Sequence, residues 1–213
     1  FSASNSEGGA DAQAGNKTRL GFAGLKLNDF GSIDYGRNYG VIYDVEAWTD
    51  MMPEFGGTGY TRADTYMLTR GNSMLTYRNN DFFGLVDGLK FALQYQGKND
   101  ASSTRAGNVS NGDGYGASLS YKIIDGLSVN GAFSSSNRLI ANETTPGLGQ
   151  KNAAFGSGDK AEAWATGLKY DNNGVYLATT YAETPNMNPI KSGATITQAN
   201  GTTTAVSGYV NKL

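Results

Sequence analysis

Residues 117–133 read ASLSYKIIDGLSVNGAF. Ala117, Leu119, Tyr121 and Ile123 alternate with Ser118, Ser120 and Lys122. Beyond Asp125-Gly126 the alternation resumes, with Val129, Gly131 and Phe133 set against Asn130, Ala132 and Ser134. A period of two is the signature of a strand with two unlike faces. Asp-Gly between two such runs supplies the positive-φ positions that a tight hairpin turn requires. The stretch therefore reads as two antiparallel strands with one apolar and one polar face.

The same pattern extends along the chain. Phe91, Leu93 and Tyr95 oppose Ala92, Gln94, Gln96 and Lys98. Trp164, Leu168 and Tyr170 share a face, as do Val175, Leu177 and Tyr181. Eight strands are expected, at about 16–27, 31–44, 65–78, 85–98, 114–123, 127–136, 161–170 and 174–183. Short links (28–31, 79–84, 124–126, 171–174) alternate with long ones near 45–64, 99–113, 137–160 and 184–208. All four prolines (Pro53, Pro146, Pro185, Pro189) lie in long links, away from central strands. No segment reads as a linker between domains.

Composition narrows the function classes. Hydrophobic residues are 38% and charged residues 17% of 213, with mean hydropathy -0.42. No run approaches the 18 apolar residues of a membrane helix. Without Cys or His, thiol catalysis, Ser-His-Asp triads and Cys/His zinc sites are excluded. A net charge of -2 gives no basic footprint for nucleic acid, and no phosphate-binding glycine motif stands between a strand and a helix. No cofactor and no metal site is expected.

Strands of about ten residues, with short turns at one end and long loops at the other, match a transmembrane antiparallel β-barrel. A soluble barrel would place the apolar face inside, and periodicity alone does not choose between the two. The Gln-, Ser-, Asn-, Lys- and Arg-rich face suits a wet lumen. Aromatics near strand ends (Phe82, Phe83, Tyr121, Tyr170, Tyr181) suit interfacial girdles. Both favour the membrane.

The first long link is unusual. Residues 43–57 read YDVEAWTDMMPEFGG, with four carboxylates at Asp44, Glu46, Asp50 and Glu54. On a short helix Glu46 and Asp50 share a face, and Pro53 disfavours helix at Met52. Three readings stand beside each other. The acids belong to a solvated loop; or they form a carboxylate pair for glycoside hydrolysis, although nothing in the loop raises either pKa in a recognisable way; or the loop folds into a lumen with its acids facing bases on the wall. Arg70, Asn72, Thr76 and Arg78 share parity opposite Leu75 and Tyr77, and Arg19 is out of phase with Leu20 and Phe22. Lipid-facing arginine costs roughly 2–4 kcal/mol at the midplane, which favours the lumen for both sets.

The words of the chain also carry a family likeness. PEFGG (53–57), NKTRLGFAGLK (16–26), GSIDYGRNYG (31–40), TYRNNDFFGLVDGL (76–89), FALQYQGKN (91–99), NGDGYG (111–116) and AEAWATGLKYD (161–171) stand in order. Together they make the chain resemble the general porins of enterobacterial outer membranes, the osmoporin and phosphoporin group, over nearly its whole length. The resemblance implies an all-β, 16-stranded transmembrane barrel, of which about eight strands are covered here. Residues 1–213 would form a single porin domain, incomplete at both ends and part of a longer mature chain. It further implies a homotrimer in outer-membrane lipid and lipopolysaccharide, and passive diffusion of small hydrophilic solutes and ions rather than an enzyme.

By the same resemblance residues 45–64 are the constriction loop, with Asp50 and Glu54 its acids and Pro53, Phe55, Gly56 and Gly57 its signature. Arg19 and Arg70 match the facing basic cluster, and Tyr39 and Tyr43 tyrosines near the constriction. Glu7 and Arg37 match a latch between subunits. Thr69 stands where the phosphoporin branch carries a lysine, which implies a weak cation preference. Arg62 pulls the other way, and Thr58 replaces the usual acid after PEFGG. A structural or receptor-type barrel, bound by phage or antibody through its long loops, is the alternative that needs no open pore.

Overall fold

The computed structural model describes residues 18–51, 65–100, 110–139, 159–187, 189–190, 195–197, 201–205 and 210–211. Eight strands form one sheet in chain order, each antiparallel to the next. They are β1 (Gly21–Leu27), β2 (Gly31–Tyr39), β3 (Arg70–Asn79), β4 (Leu89–Gln96), β5 (Gly114–Ile124), β6 (Leu127–Asn137), β7 (Lys160–Asn172) and β8 (Val175–Glu183). The turns follow from local chemistry. Ile124 pairs with Leu127 across Asp125-Gly126, where Gly126 takes φ +83°. Asn173 (φ +53°) and Gly174 (φ +75°) close β7 on β8 in the same positive-φ manner. Single 3-10 turns at Asn28–Phe30 and Phe82–Gly84 join β1 to β2 and lead from β3 towards β4.

Several expected boundaries move. β1 begins at Gly21 rather than 16, and β4 at Leu89 rather than 85 because the turn occupies 82–88. The largest differences flank the first long link. β2 stops at Tyr39, not 44, and β3 starts at Arg70, not 65. The chain leaves the sheet at Gly40, whose N–H donates to the Thr69 carbonyl at 2.8 Å. A Cβ at Gly40 would collide with the backbone of Met67 on the returning leg, so only glycine lets the two legs touch there. A short helix, α1 (Tyr43–Glu46), follows, its first two residues standing where the strand was expected to continue.

A second correction concerns parity on β3. Gly36 pairs with Met74 but Asn38 pairs with Gly71, so β3 carries one residue more than β2 there. Ser73, in the β-bulge so formed, sits at φ +57°. Thr76 and Arg78 keep the face of Met74, and Arg70 and Asn72 fall out of step with them. Arg19 lies before β1, exposed and outside any strand, so strand phase does not orient it. The long link at 184–208 also holds a short antiparallel pair, β10 (Thr195–Thr197) with β11 (Thr203–Ala205), and its β9 (Pro189–Ile190) pairs with β12 (Val210–Asn211) just beyond it.

The faces of the sheet differ as the alternation predicts, and burial now orients them. Ala92, Gln94, Gln96, Thr76, Ala132, Ser134, Ala161, Ala163 and Ala165 are covered. On the opposite face Leu93, Tyr95, Leu119, Phe133, Trp164 and Leu168 are 41–53% exposed. The small and polar face is thus the covered one, and what covers it is the first long link. Ile42, Val45, Tyr66 and Leu68 join Ala132, Ala161, Ala163, Ala165 and Met187 in one apolar cluster. Val41 and Met67 pack with Met74 and Ala92 in another. No helix among the described residues is long and apolar enough to cross a membrane.

Candidate functional site

α1 packs against β6 and β7, where three alanines spaced by two make a shallow seat on the wall. Polar bonds fix both legs of the link beside it. The Gln94 side chain accepts from the Val41 N–H at 3.1 Å and donates to the Tyr39 carbonyl at 2.9 Å. Gln96 donates to the Thr65 carbonyl at 2.9 Å. Period-two alternation put both glutamines on the polar face, but their partners are tens of residues away and left no sign in the sequence.

Asp44 is the strongest single anchor. Both its carboxylate oxygens accept from one Arg78 guanidinium nitrogen, at 2.9 and 2.8 Å, and the Ser118 hydroxyl donates at 2.6 Å. Asn130 donates to the Asp44 carbonyl at 3.1 Å. Charge-assisted bonds of this kind are stronger than neutral ones. Of the three readings of the acidic stretch, an acid facing a base on the wall is realised at Asp44. Sequence parity had set Arg78 apart as polar-facing without a partner.

The far end of the helical segment docks on β7 and β8. Tyr176 donates its hydroxyl proton to the Trp48 carbonyl at 2.7 Å, and the Thr49 and Thr180 hydroxyls lie 3.0 Å apart. Lys169 Nζ lies 5.2 Å from the Trp48 ring centroid and 5.9 Å from that of Tyr176, within cation–π reach. None of these positions stands out in sequence except as an alternating strand residue.

Four of the expected site residues come together. Tyr39 and Tyr43 stack with ring centroids 4.6 Å apart. The Tyr43 hydroxyl donates to Asp50 at 2.7 Å. Burial, and then that bond, push the Tyr43 phenol up to about 12, with the Arg70 charge opposing the rise. Tyr43 therefore stays a donor to Asp50 at any physiological pH. Tyr39 pairs with Arg70 across β2 and β3, so Arg70 reaches the group despite the slipped parity. The described contacts do not join Arg19 to it. Arg37 is buried, with its Nε donating to the Thr18 carbonyl and Nη1 to the Asn72 side chain, both at 3.2 Å. Glu7, Pro53, Glu54, Phe55, Gly56 and Gly57, with Thr58 and Arg62, lie outside the described residues.

One expectation about the acids is overturned. The sequence offered nothing to raise a carboxyl pKa in this stretch, yet burial, and then repulsion from Asp50, push Glu46 up to about 8. Glu46 is 2% exposed, packed into the loop's apolar seat rather than open to a cleft. No group of three or more acids or other ligands able to hold a metal occurs among the described residues.

Comparison with known proteins agrees with this architecture. The family model for Gram-negative porins matches residues 1–210. Outer membrane protein Omp-EA of Erwinia amylovora is 77% identical across 100% of the chain and 56% of its own length. Outer membrane porin F of Escherichia coli K12 is 51% identical over 100% of the chain and 52% of its length. The solved Salmonella typhi OmpF complex with daunomycin superposes with a TM-score of 0.73 at 47% identity, covering 91% of this chain and 52% of that one. The chain spans about half the length of these relatives. An eight-stranded antiparallel sheet with an apolar outer face, relatives named for the outer membrane and a family match over nearly every residue lead to one conclusion: the chain belongs to the Gram-negative porin family, proteins of the bacterial outer membrane.

Proposed function

We propose that the full-length protein is a general diffusion channel, passing small hydrophilic solutes and ions passively through a 16-stranded barrel assembled as a homotrimer. The observation that carries this reading is the acidic helical loop seated on the polar face of the sheet, while the opposite face exposes large apolar side chains. A loop held there narrows whatever that face encloses. The Tyr39–Tyr43–Asp50 group beside Arg70 supports a constriction with acid and base at close quarters. Opposite unit charges at 4 Å interact by about 4 kcal/mol at an effective dielectric near 20, enough to orient water and sort solutes by charge as well as size.

In this reading Asp50 and Glu54 give the weak cation preference and Arg70 and Arg19 oppose it. Tyr39 and Tyr43 line the passage, and Pro53, Phe55, Gly56 and Gly57 shape the loop. Glu7 and Arg37 serve the subunit latch, and lipid with lipopolysaccharide surrounds the trimer. No catalytic step is assigned. Single-channel current under a KCl gradient tests it. Openings in steps of three with a small cation-directed reversal potential are expected, moving towards anions in the D50N/E54Q protein. An unmoved potential removes those two acids from selectivity. No current and no solute passage from a full-length chain removes the channel and leaves the receptor-type barrel.

A further inference from the structure

Among the described residues Glu46 is the acid that faces no base. It is 2% exposed, and neither carboxylate oxygen has a hydrogen-bond partner among them. Its helix neighbours Ile42 and Val45 belong to the apolar cluster on Ala161, Ala163 and Ala165, so the carboxyl is held where the loop meets the wall. An ionised carboxylate without a partner is strongly disfavoured in such a place, and a neutral acid much less so. The titratable and charged groups around it are Asp44 and Asp50 on the loop, Tyr66 on the returning leg, Arg138 beyond β6 and Lys169 on β7. Asp44 is bound to Arg78, Arg138 to Tyr66, and Lys169 lies over Trp48 and Tyr176. Of these groups only Asp50 acts on Glu46, by repulsion.

We propose that Glu46 is a proton-operated latch on the constriction loop: protonated, it lets α1 sit on the β6–β7 wall, and ionised, it drives the 45–50 segment off that wall, widening the passage and adding a negative charge to it. The latch rests on the channel reading for its consequence, not for its chemistry. The direction follows from proton counting. An undocked loop releases the proton near the ordinary 4.5, the docked loop only near 8. Docking is therefore most favourable below the lower value. Between the two the docked state holds one more proton, and its advantage falls about tenfold per pH unit. Above about 8 the loss is complete.

Trp48 and Trp164 are the tryptophans of these 213 residues; W164F, with any tryptophan of the full-length protein outside them changed to Phe as well, leaves Trp48, two residues from Glu46, as the reporter. Acrylamide quenching of Trp48 is expected to rise with a one-proton slope inside the window from about 4.5 to about 8 and to level off above it. It should stay flat in E46Q/W164F and in E46L/W164F, of which the leucine variant suits the apolar seat and guards against misfolding of the other. A flat response in the Glu46 protein, or the same rise in both variants, overturns the latch. Conductance on the same samples separates the two readings. Current without pH response removes the latch and keeps the channel; a Trp48 transition without current keeps the latch and removes the channel.

Discussion

Asp44 accepts three hydrogen bonds, two from Arg78 and one from Ser118, and both members of the ion pair keep about 30% of their side-chain surface exposed. Solvent therefore screens part of the attraction, and the pair is worth less than a fully buried one. D44A is expected to destabilise the protein by about 1–2 kcal/mol, since charge-assisted bonds contribute more than neutral ones but the stranded arginine can still hydrate. In a double-mutant cycle with R78A, measured by denaturation of the detergent-solubilised protein, the coupling should be about 1 kcal/mol at most. Coupling near zero would make Asp44 a passive contact. Glu46, only two residues on, behaves oppositely because no described base faces it and apolar side chains of the loop and wall pack beside it. Identity of side chain did not separate these two acids in the sequence; their partners did, and those come from strands more than 30 residues away in sequence.

Elements differ in how far the sequence determines them. The β5–β6 and β7–β8 hairpins were legible because their turns are local: Asp-Gly and Asn-Gly place positive φ where the strands must reverse. The loop was not. Val41, Ile42 and Tyr43 read as a continuing strand by β-propensity, as do Thr65–Leu68 on the other side. Burial overrode that preference: Ile42, Tyr66 and Leu68 fill a seat made by Ala161, Ala163 and Ala165, over 90 residues distant, and Val41 and Met67 pack on Met74 and Ala92. The bulge at Asn72–Ser73 was equally silent and mis-sorted Arg70 by parity. If the alanine seat decides where the loop sits, enlarging one alanine should displace it. A163L adds three carbons to a fully buried position, and overpacking of this kind typically costs about 1–3 kcal/mol. The expected result is a loop pushed off the wall, read as raised single-channel conductance and faster proteolysis within 45–64. Unchanged conductance with the same loss of stability would mean that the wall, not the loop, absorbs the strain.

At the scale of the molecule, the period-two alternation established two faces without saying which meets water. The structure decides it by what covers each face: a loop full of acids and tyrosines sits on the small and polar one, and Leu93, Leu119, Phe133 and Leu168 are left exposed on the other. An aromatic cluster of Tyr77, Phe82, Phe83 and Phe91 gathers towards the short-turn end, where an interfacial girdle belongs. In water such an apolar surface would drive aggregation; in a bilayer it is the surface that holds the protein there. The two environments make opposite forecasts for one substitution. L168R, on the exposed face in the middle of β7, should lower the stability of the full-length protein folded into lipid vesicles by about 2–4 kcal/mol if that face meets hydrocarbon. S120R, on the polar face of β5, should change it by less than about 0.5 kcal/mol, as surface substitutions away from packed features do. Urea unfolding of both variants in vesicles measures the difference. Equal small effects would mean that the exposed leucines do not face lipid, and the assignment of inside and outside would have to be reversed.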